Sequence, residues 1–159
     1  MQTAIICLGR LKELHFRAAA DEYIKRLRRF VRIEEIELSD EPEPDPPSPA
    51  LVQKVMDKEA AKILEKVKPG DYVIALCIDG KEWDSVDFAN HLQGLQDKGA
   101  QRIVFLIGGS LGLGEAALKR ADEKLSFSRM TFPHALARVL LLEQLYRAAK
   151  INAGERYHK

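Results

Sequence analysis

The amino-acid sequence predicts an α/β fold with a mostly parallel sheet flanked by helices. Three observations carry that expectation. Short apolar runs rich in β-branched residues recur at Thr3–Leu8, Asp71–Ile78 and Gln101–Ile107. Stretches with helical spacing separate them. The apolar runs are nearly continuous rather than alternating, as strands buried on both faces require.

Thr3–Leu8 (TAIICL) reads as a buried strand. Leu11–Phe30 follows, with Leu14, Ala18, Tyr23, Leu27 and Phe30 roughly at helical spacing, and predicts a long helix. In Val31–Leu38 the apolar Val31, Ile33, Ile36 and Leu38 alternate with Arg32, Glu34 and Glu37, which predicts a strand. The pattern slips by one residue at Glu34-Glu35, where an irregularity is expected.

Ser39–Pro49 holds five of the seven prolines, set among acidic residues. Proline lacks the N–H that a helix interior or a central strand needs, so this stretch reads as an exposed loop. Ala50–Val67 returns to helical spacing and stops at Pro69-Gly70. Asp71–Ile78 (DYVIALCI) reads as a central strand ended by a turn at Asp79-Gly80. Asp84 or Ser85 can cap a helix that runs to Lys98, with Gly99 closing it. After the strand Gln101–Ile107, Gly114-Glu115 opens a short helix to Asp122, and Lys124–Phe127 is a short strand. Pro133 suits the first turn of a last helix over Ala135–Ile151. No internal repeat is present. The 159 residues read as one domain.

With 46% hydrophobic and 31% charged residues, the composition is that of a soluble globular chain. No apolar run reaches the roughly 18 residues that span a bilayer. A secretory signal pattern is missing from the first residues, so a cytoplasmic location is expected. Cys7 and Cys77 lie in strand-like runs and read as buried free thiols. The four histidines have no metal-ligand spacing, and no metal site is expected. A net charge of +1 does not announce nucleic acid. The local distribution is less even: Lys25-Arg26-Leu27-Arg28-Arg29 with Arg32 forms a basic knot, which reads as a solvated helix face or a docking patch.

The chemistry concentrates in the last third. Gly108-Gly109-Ser110-Leu111-Gly112-Leu113-Gly114 puts four glycines into seven residues directly after a strand. Gly108 and Gly109 bring bare backbone N–H and C=O groups close to a ligand. No Lys-Ser/Thr pair follows, so this is not a Walker loop. The glycine spacing also misses the dinucleotide fingerprint. Phe127-Ser128-Arg129-Met130-Thr131-Phe132 offers two aromatics, a methionine and two hydroxyls on one loop, suited to enclosing an adenine ring. Ligands of parallel α/β sheets sit beyond the carboxyl ends of strands. If their strands are neighbours, the loops at 79–80, 108–114 and 128–133 line one pocket.

The last helix is apolar on more than one face, through Leu136, Val139, Leu140, Leu141, Leu142, Leu145 and Tyr146. The excess points to a second packed face, such as a dimer interface. Arg138, Glu143 and Arg147 can pair along the helix, and Glu143 reads as a structural ion-pair partner. The tail Arg156-Tyr157-His158-Lys159 combines a guanidinium, two groups that stack and an imidazole, the side chain that ordinarily titrates near neutrality. It reads as a solvated end or as a flap that grips phosphate or a base.

Ile107-Gly108-Gly109, Leu125-Ser126-Phe127-Ser128, Met130-Thr131-Phe132-Pro133-His134, Arg138-Val139-Leu140, Glu143-Gln144-Leu145-Tyr146-Arg147-Ala148 and Tyr157-His158-Lys159 together resemble a known family. It is the ribosomal large-subunit pseudouridine N3-methyltransferase family, within the SPOUT superfamily of α/β-knot methyltransferases. The resemblance spans the whole chain and is most specific in the last third. The Pro-rich loop 42–49 is unusual for the pattern.

The resemblance implies a C-terminal deep trefoil knot, a homodimer and S-adenosylmethionine bound in the knotted loops. By position it puts Leu76, Gly108, Gly109, Phe127, Ser128, Arg129, Met130, Thr131 and Phe132 at the cofactor. It implies a composite active site completed by the partner's tail, which maps to Arg156, Tyr157 and His158. His158 is the candidate proton acceptor, Arg156 or Arg138 the candidate anion stabiliser, and Tyr157 the candidate stacking partner. The implied substrate is a pseudouridine of large-subunit rRNA on assembled ribosomes, with Arg26, Arg28, Arg29 and Arg32 as a docking patch. Two competing readings stand beside it. One is a SPOUT methyltransferase acting on tRNA, although this length leaves no room for the RNA-binding domain such enzymes often add. The other is a non-catalytic dimeric module that binds a nucleotide or RNA.

Overall fold

The computed structural model describes residues 1–159. Five strands form one sheet: β1 (Gln2–Leu8), β2 (Arg32–Leu38), β3 (Tyr72–Glu82), β4 (Arg102–Ile107) and β5 (Glu123–Ser126). Their order is β2-β1-β4-β3-β5. Every pairing is parallel. Parallel neighbours need crossovers, and the helices supply them. These are α1 (Leu14–Leu27), α2 (Pro49–Leu64), α3 (Ser85–Asp97) and α4 (Glu115–Arg120), followed by the terminal α5 (His134–Asn152).

The strands alternate between two cores. Ile5, Cys7, Ile74, Ile103 and Phe105 face one side, where α1, α3 and α5 pack through Ala20, Leu27, Phe88, Leu92, Leu141, Leu142 and Leu145. Ala4, Ile6, Leu8, Val73, Ala75, Val104 and Leu106 face the other, against Ala60 and Ile63 of α2 and Ala117 of α4. All six residues of β4 are buried, which explains its unbroken apolar run. No helix is long and apolar enough to cross a membrane.

Helix starts follow local chemistry. Ser48 accepts a hydrogen bond from the Leu51 N–H at the start of α2, with Pro49 in the first turn. Asp84, rather than Ser85, caps α3 through the Asp87 N–H. Gly99 takes a φ of 96° just beyond α3, a conformation L side chains disfavour.

Three sequence expectations change. The first concerns β2, whose register against β1 is unbroken from Arg32 to Leu38. The slip at Glu34-Glu35 is therefore no backbone irregularity. Glu35 and Glu37 lie on the same strand face as Ile33, and that face carries carboxylates because Arg17 and Arg138 meet them. The irregularity lies instead in β3. The strand does not end at Asp79-Gly80 but runs on to Glu82, and both Leu76 and Lys81 oppose Leu125 across a register shift. Gly80 is needed there, since a Cβ would lie 2.5 Å from the Leu125 carbonyl carbon. Lastly, α5 packs against both α1 and α3. Much of its apolar excess is thus buried within one chain.

Candidate functional site

The loops after β4 and β5 converge against the bulged stretch of β3, but Asp79-Gly80, expected as a third loop, is part of that strand and stays outside the lining. They enclose a cleft of about 800 Å³ beyond the carboxyl ends of those strands. Leu76, Cys77 and Ile78 form one wall, residues 107–113 a second, and residues 125–128 with 130–134 a third. Adjacent placement of β4, β3 and β5 is what brings the two loops and the β3 residues together.

The glycine loop is shaped by its own backbone. A Cβ on Gly108 would stand 2.6 Å from the carbonyl carbon of Gly112 and 2.8 Å from the Leu113 nitrogen. Gly112 has a φ of 84° and donates its N–H to the Gly109 carbonyl at 3.0 Å. At the loop exit, a Cβ on Gly114 would stand 2.6 Å from the Met56 carbonyl oxygen of α2. The glycines at 108, 112 and 114 thus answer to close approach or to positive φ.

The facing loop is also internally bonded. Ser126 Oγ donates to the Ser128 carbonyl at 3.0 Å, and the Met130 N–H donates to Ser128 Oγ at 3.0 Å. Met130 is 74% exposed and Ile78 51% exposed, so the cleft mouth carries two large apolar side chains in solvent. The lining is largely apolar with bare backbone at the glycines, a surface matched to a flat, polar-edged group.

Of the predicted cofactor contacts, Leu76, Gly108, Gly109, Phe127, Ser128, Met130, Thr131 and Phe132 line the cleft. Arg129 does not; its side chain is exposed outside the lining. Arg138 is also elsewhere. It is 0% exposed, and its guanidinium is consumed by Glu37 at 2.8 Å, Glu35 at 3.3 Å and the Gly9 carbonyl at 3.0 Å. A guanidinium paired twice with carboxylates and shut off from both solvent and cleft cannot stabilise a substrate anion, so that role is withdrawn from Arg138.

The tail folds onto its own helix. Tyr157 donates to Glu143 Oε1 at 3.1 Å, packs its ring 4.8 Å from that of Tyr146 and lies under the Arg147 guanidinium. Burial, then the Glu143 carboxylate, pushes its phenol up to about 12, so it remains a donor. Glu143 pairs with Arg147 at 2.7 Å, as expected of a structural partner. His158 Nδ1 lies 3.3 Å from Arg147 Nη1. Arginine only donates, so this ring nitrogen is the acceptor.

His158 also lines a second cavity of about 470 Å³ with Trp83, Phe88, Leu140 and Gln144. Leu125, Ser126, Phe127 and Phe132 belong to the walls of both cavities. Arg156 is exposed. In the basic knot, Arg26 pairs with Glu22 and Arg29 with Glu155, which partly neutralises the proposed patch.

Some lining residues escaped the sequence reading. Cys77 is half-buried beside the cleft, not fully buried, and burial followed by Asp79 pushes its thiol up to about 11. His134 lines the cleft with its Nδ1 buried and unpartnered, and its ring lies 3.3 Å from where a Gly9 Cβ would be. Neither had a spacing signal. Pro133-His134 opens α5, and only the route of the chain past Gly9 makes His134 part of the wall. No group of three or more His, Cys, Asp or Glu is placed to hold a metal ion.

A glycine-walled cleft at the carboxyl ends of the strands is where parallel α/β sheets hold ligands, and comparison with known proteins identifies the class of the chain. The chain belongs to the family described as "Predicted SPOUT methyltransferase", whose model matches residues 1–158. Among curated relatives it is similar to the Ribosomal RNA large subunit methyltransferase H of Clostridium novyi (strain NT), with 52% identity over 159 residues and all of both chains covered. The proteins of the same name from Clostridioides difficile (strain 630) and Bacillus cytotoxicus are each 48% identical, again over the full length of both chains.

Proposed function

We propose that this chain methylates N3 of a pseudouridine in large-subunit rRNA on assembled ribosomes, using S-adenosylmethionine and acting as a homodimer. The observation that carries this reading is the cleft. Its walls include the loops that the SPOUT resemblance reserves for the cofactor, one of them a glycine run with no room for a side chain at 108 and 114 and a positive φ at 112. A volume of about 800 Å³ with mostly apolar walls accommodates a nucleoside bearing a short amino-acid arm.

S-adenosylmethionine, when bound, supplies a sulfonium methyl whose bonding electron pair stays with sulfur as the thioether. The protein's share is alignment and proton handling. Pseudouridine N3 carries a proton, so a new N3–C bond requires that proton to leave. His158 is assigned as its acceptor, Arg156 as the stabiliser of the developing ring anion, and Tyr157 as the stacking partner. Within one chain His158 lines the second cavity and not the cleft, so a chain's own tail leaves its cleft open to the partner's. In this reading the tail of the partner subunit completes each site.

The knot that the family implies belongs to the same reading. β5 lies at the sheet edge beyond β3, yet α5 begins at His134 beside Gly9, at the end of β1. Residues 127–133 therefore cross the ends of β3 and β4, beside the 108–114 loop. That path supports a last helix threaded past that loop.

The test is methyl transfer from labelled S-adenosylmethionine to ribosomes that lack the modification, with free rRNA, separate subunits and tRNA in parallel. Label confined to large-subunit rRNA of assembled ribosomes is expected. Label on tRNA alone would replace the substrate. Cofactor binding without transfer to any of them would leave a non-catalytic module. His158→Ala is expected to lower turnover by about 10²–10⁴-fold, and undiminished turnover would remove the proton-acceptor role.

A further inference from the structure

The acidic, proline-rich connection between β2 and α2 has no part in the reading above, yet its contacts lead to the glycine loop. Lys62 on α2 donates to the Ser39 carbonyl at 2.9 Å and pairs with Glu41 at 2.7 Å. Glu59, one helical turn earlier on α2, accepts the Glu41 N–H at 3.1 Å. Further along the connection, the Glu43 carboxylate accepts from Ser110 Oγ in the glycine loop. Two residues of one helix thus hold the start of the connection, and its continuation is tied to the cofactor loop.

Glu59 is the unusual member. It is 3% exposed, in a helix whose other charged residues are mostly in solvent. Carboxylates are rarely so buried without a cationic partner at hand. Here Glu59 Oε2 lies 3.6 Å from where a Gly109 Cβ would be, directly under the cofactor loop. Met56 and Ala60 of the same helix abut Gly114 at the loop's exit. A run with four glycines has many backbone conformations to lose on ordering, so a site built from it needs outside support.

We propose that Glu59 is a positioning residue for the cofactor loop, and that connection 39–49 is the strap that couples Glu59 and α2 to that loop through Glu41, Glu43 and Ser110. The proposal rests on the cofactor assignment made above. Burial pushes the Glu59 carboxyl up and the Glu41 N–H pulls it part of the way back, while the charges of Asp40 and Glu41 raise it and Lys62 lowers it, so the net shift is upward.

The test measures S-adenosylmethionine affinity by calorimetry for the unaltered chain, Glu59→Ala and Glu59→Gln, with KM for ribosomes alongside. Glu59→Ala is expected to weaken cofactor binding about tenfold, from loss of the bond to the Glu41 N–H that anchors the strap and of the side chain beneath Gly109. Glu59→Gln keeps an acceptor oxygen and is expected to recover to within about threefold. KM for ribosomes should stay within about twofold in both, a split that general loss of structure would not produce. Amide hydrogen exchange at residues 108–112 should quicken in Glu59→Ala.

Glu43→Ala provides a variant that cannot compromise the core, because Glu43 is exposed. It frees Ser110 and is expected to weaken cofactor binding about threefold. Cofactor affinity within about twofold of the unaltered chain in folded Glu59→Ala, or in Glu43→Ala should the former not fold, would overturn the strap. So would equal losses in cofactor affinity and ribosome KM. If the unaltered chain fails to bind S-adenosylmethionine at all, the cofactor assignment falls and the strap with it, an outcome distinct from a failure of the variants alone.

Discussion

The two edges of the sheet use polar groups in different ways. At the β2–β1 edge, charges are matched to one another: Arg138 with Glu35 and Glu37 in the interior, Arg17 with Glu35 and with Asp21 at the surface, and the Leu11 N–H with Glu37. At the β4–β3–β5 edge, the strands end in loops whose backbone groups face a cleft. Ion pairs also close the β4–β3–β5 side away from the cleft, through Arg102 with Asp71 and His91 with Glu123, whereas the cleft lining itself is largely apolar. A buried ionic residue near a pocket is therefore not thereby a catalytic one; what matters is whether its partners lie inside the chain.

The largest expected effect breaks the open edge. Gly108→Ala would place a methyl 2.6 Å from the Gly112 carbonyl carbon, so the loop backbone must shift to admit it. S-adenosylmethionine affinity should fall by at least about a hundredfold with the sheet intact. Calorimetry with circular dichroism checks it, and unchanged affinity would show that the cleft is not the cofactor site.

Breaking the closed edge should act on stability instead. Arg138→Ala leaves Glu35 and Glu37 without their buried partner, at a cost of about 3–5 kcal/mol. The melting temperature should drop by roughly 10 °C. A loss of turnover without a loss of stability would restore Arg138 as a functional residue.

Acid should separate the edges further. Burial pushes the Glu37 carboxyl up, but bonds from Arg138 and the Leu11 N–H, with the Arg138 and Arg17 charges, outweigh it, and the net shift is downward. A carboxyl lowered by folding binds its proton more readily in the unfolded chain. Its stabilisation is complete above the unfolded value of 4.5 and is lost as pH falls through the lower folded value. The melting temperature of the unaltered chain should thus fall between about pH 5 and 3 more steeply than that of Glu37→Gln. Parallel curves would mean that Glu37 is not linked to folding.

The smallest effect belongs to the tail. Tyr157→Phe removes the bond to Glu143 and keeps the ring against Tyr146. Stability should change by under about 1 kcal/mol, and ribosome methylation should stay within about threefold, because stacking needs the ring and not the hydroxyl. A larger loss of turnover would move the tyrosine's role from its ring to its hydroxyl.

Much of this was legible in the chain. The apolar runs at β1, β3 and β4 announced buried parallel strands because residues covered on both faces have no reason to alternate. Four glycines in seven residues announced a binding loop after β4, and the structure adds that 108 and 114 have no room for a side chain and that 112 has a positive φ. Boundaries shifted where tertiary pairing overrode local chemistry. Asp79-Gly80 has the form of a turn, yet pairing with β5 carries β3 through it.

The sequence by itself determined the element order, the parallel sheet and the two loops that wall the cleft. These follow from periodicity, proline placement and glycine density, which act over a few residues. Only the tertiary structure decided that Arg138 belongs to a sealed ionic cluster, that His134 and Cys77 reach the cleft, and that Glu59 sits beneath Gly109. Each depends on partners far apart in the chain, 129 positions for Arg138 and Gly9 and 50 for Glu59 and Gly109, meeting only once the sheet and its crossovers have formed. Charge carries no mark of its partner, so a buried pair and a binding residue look alike until the fold shows what each one touches.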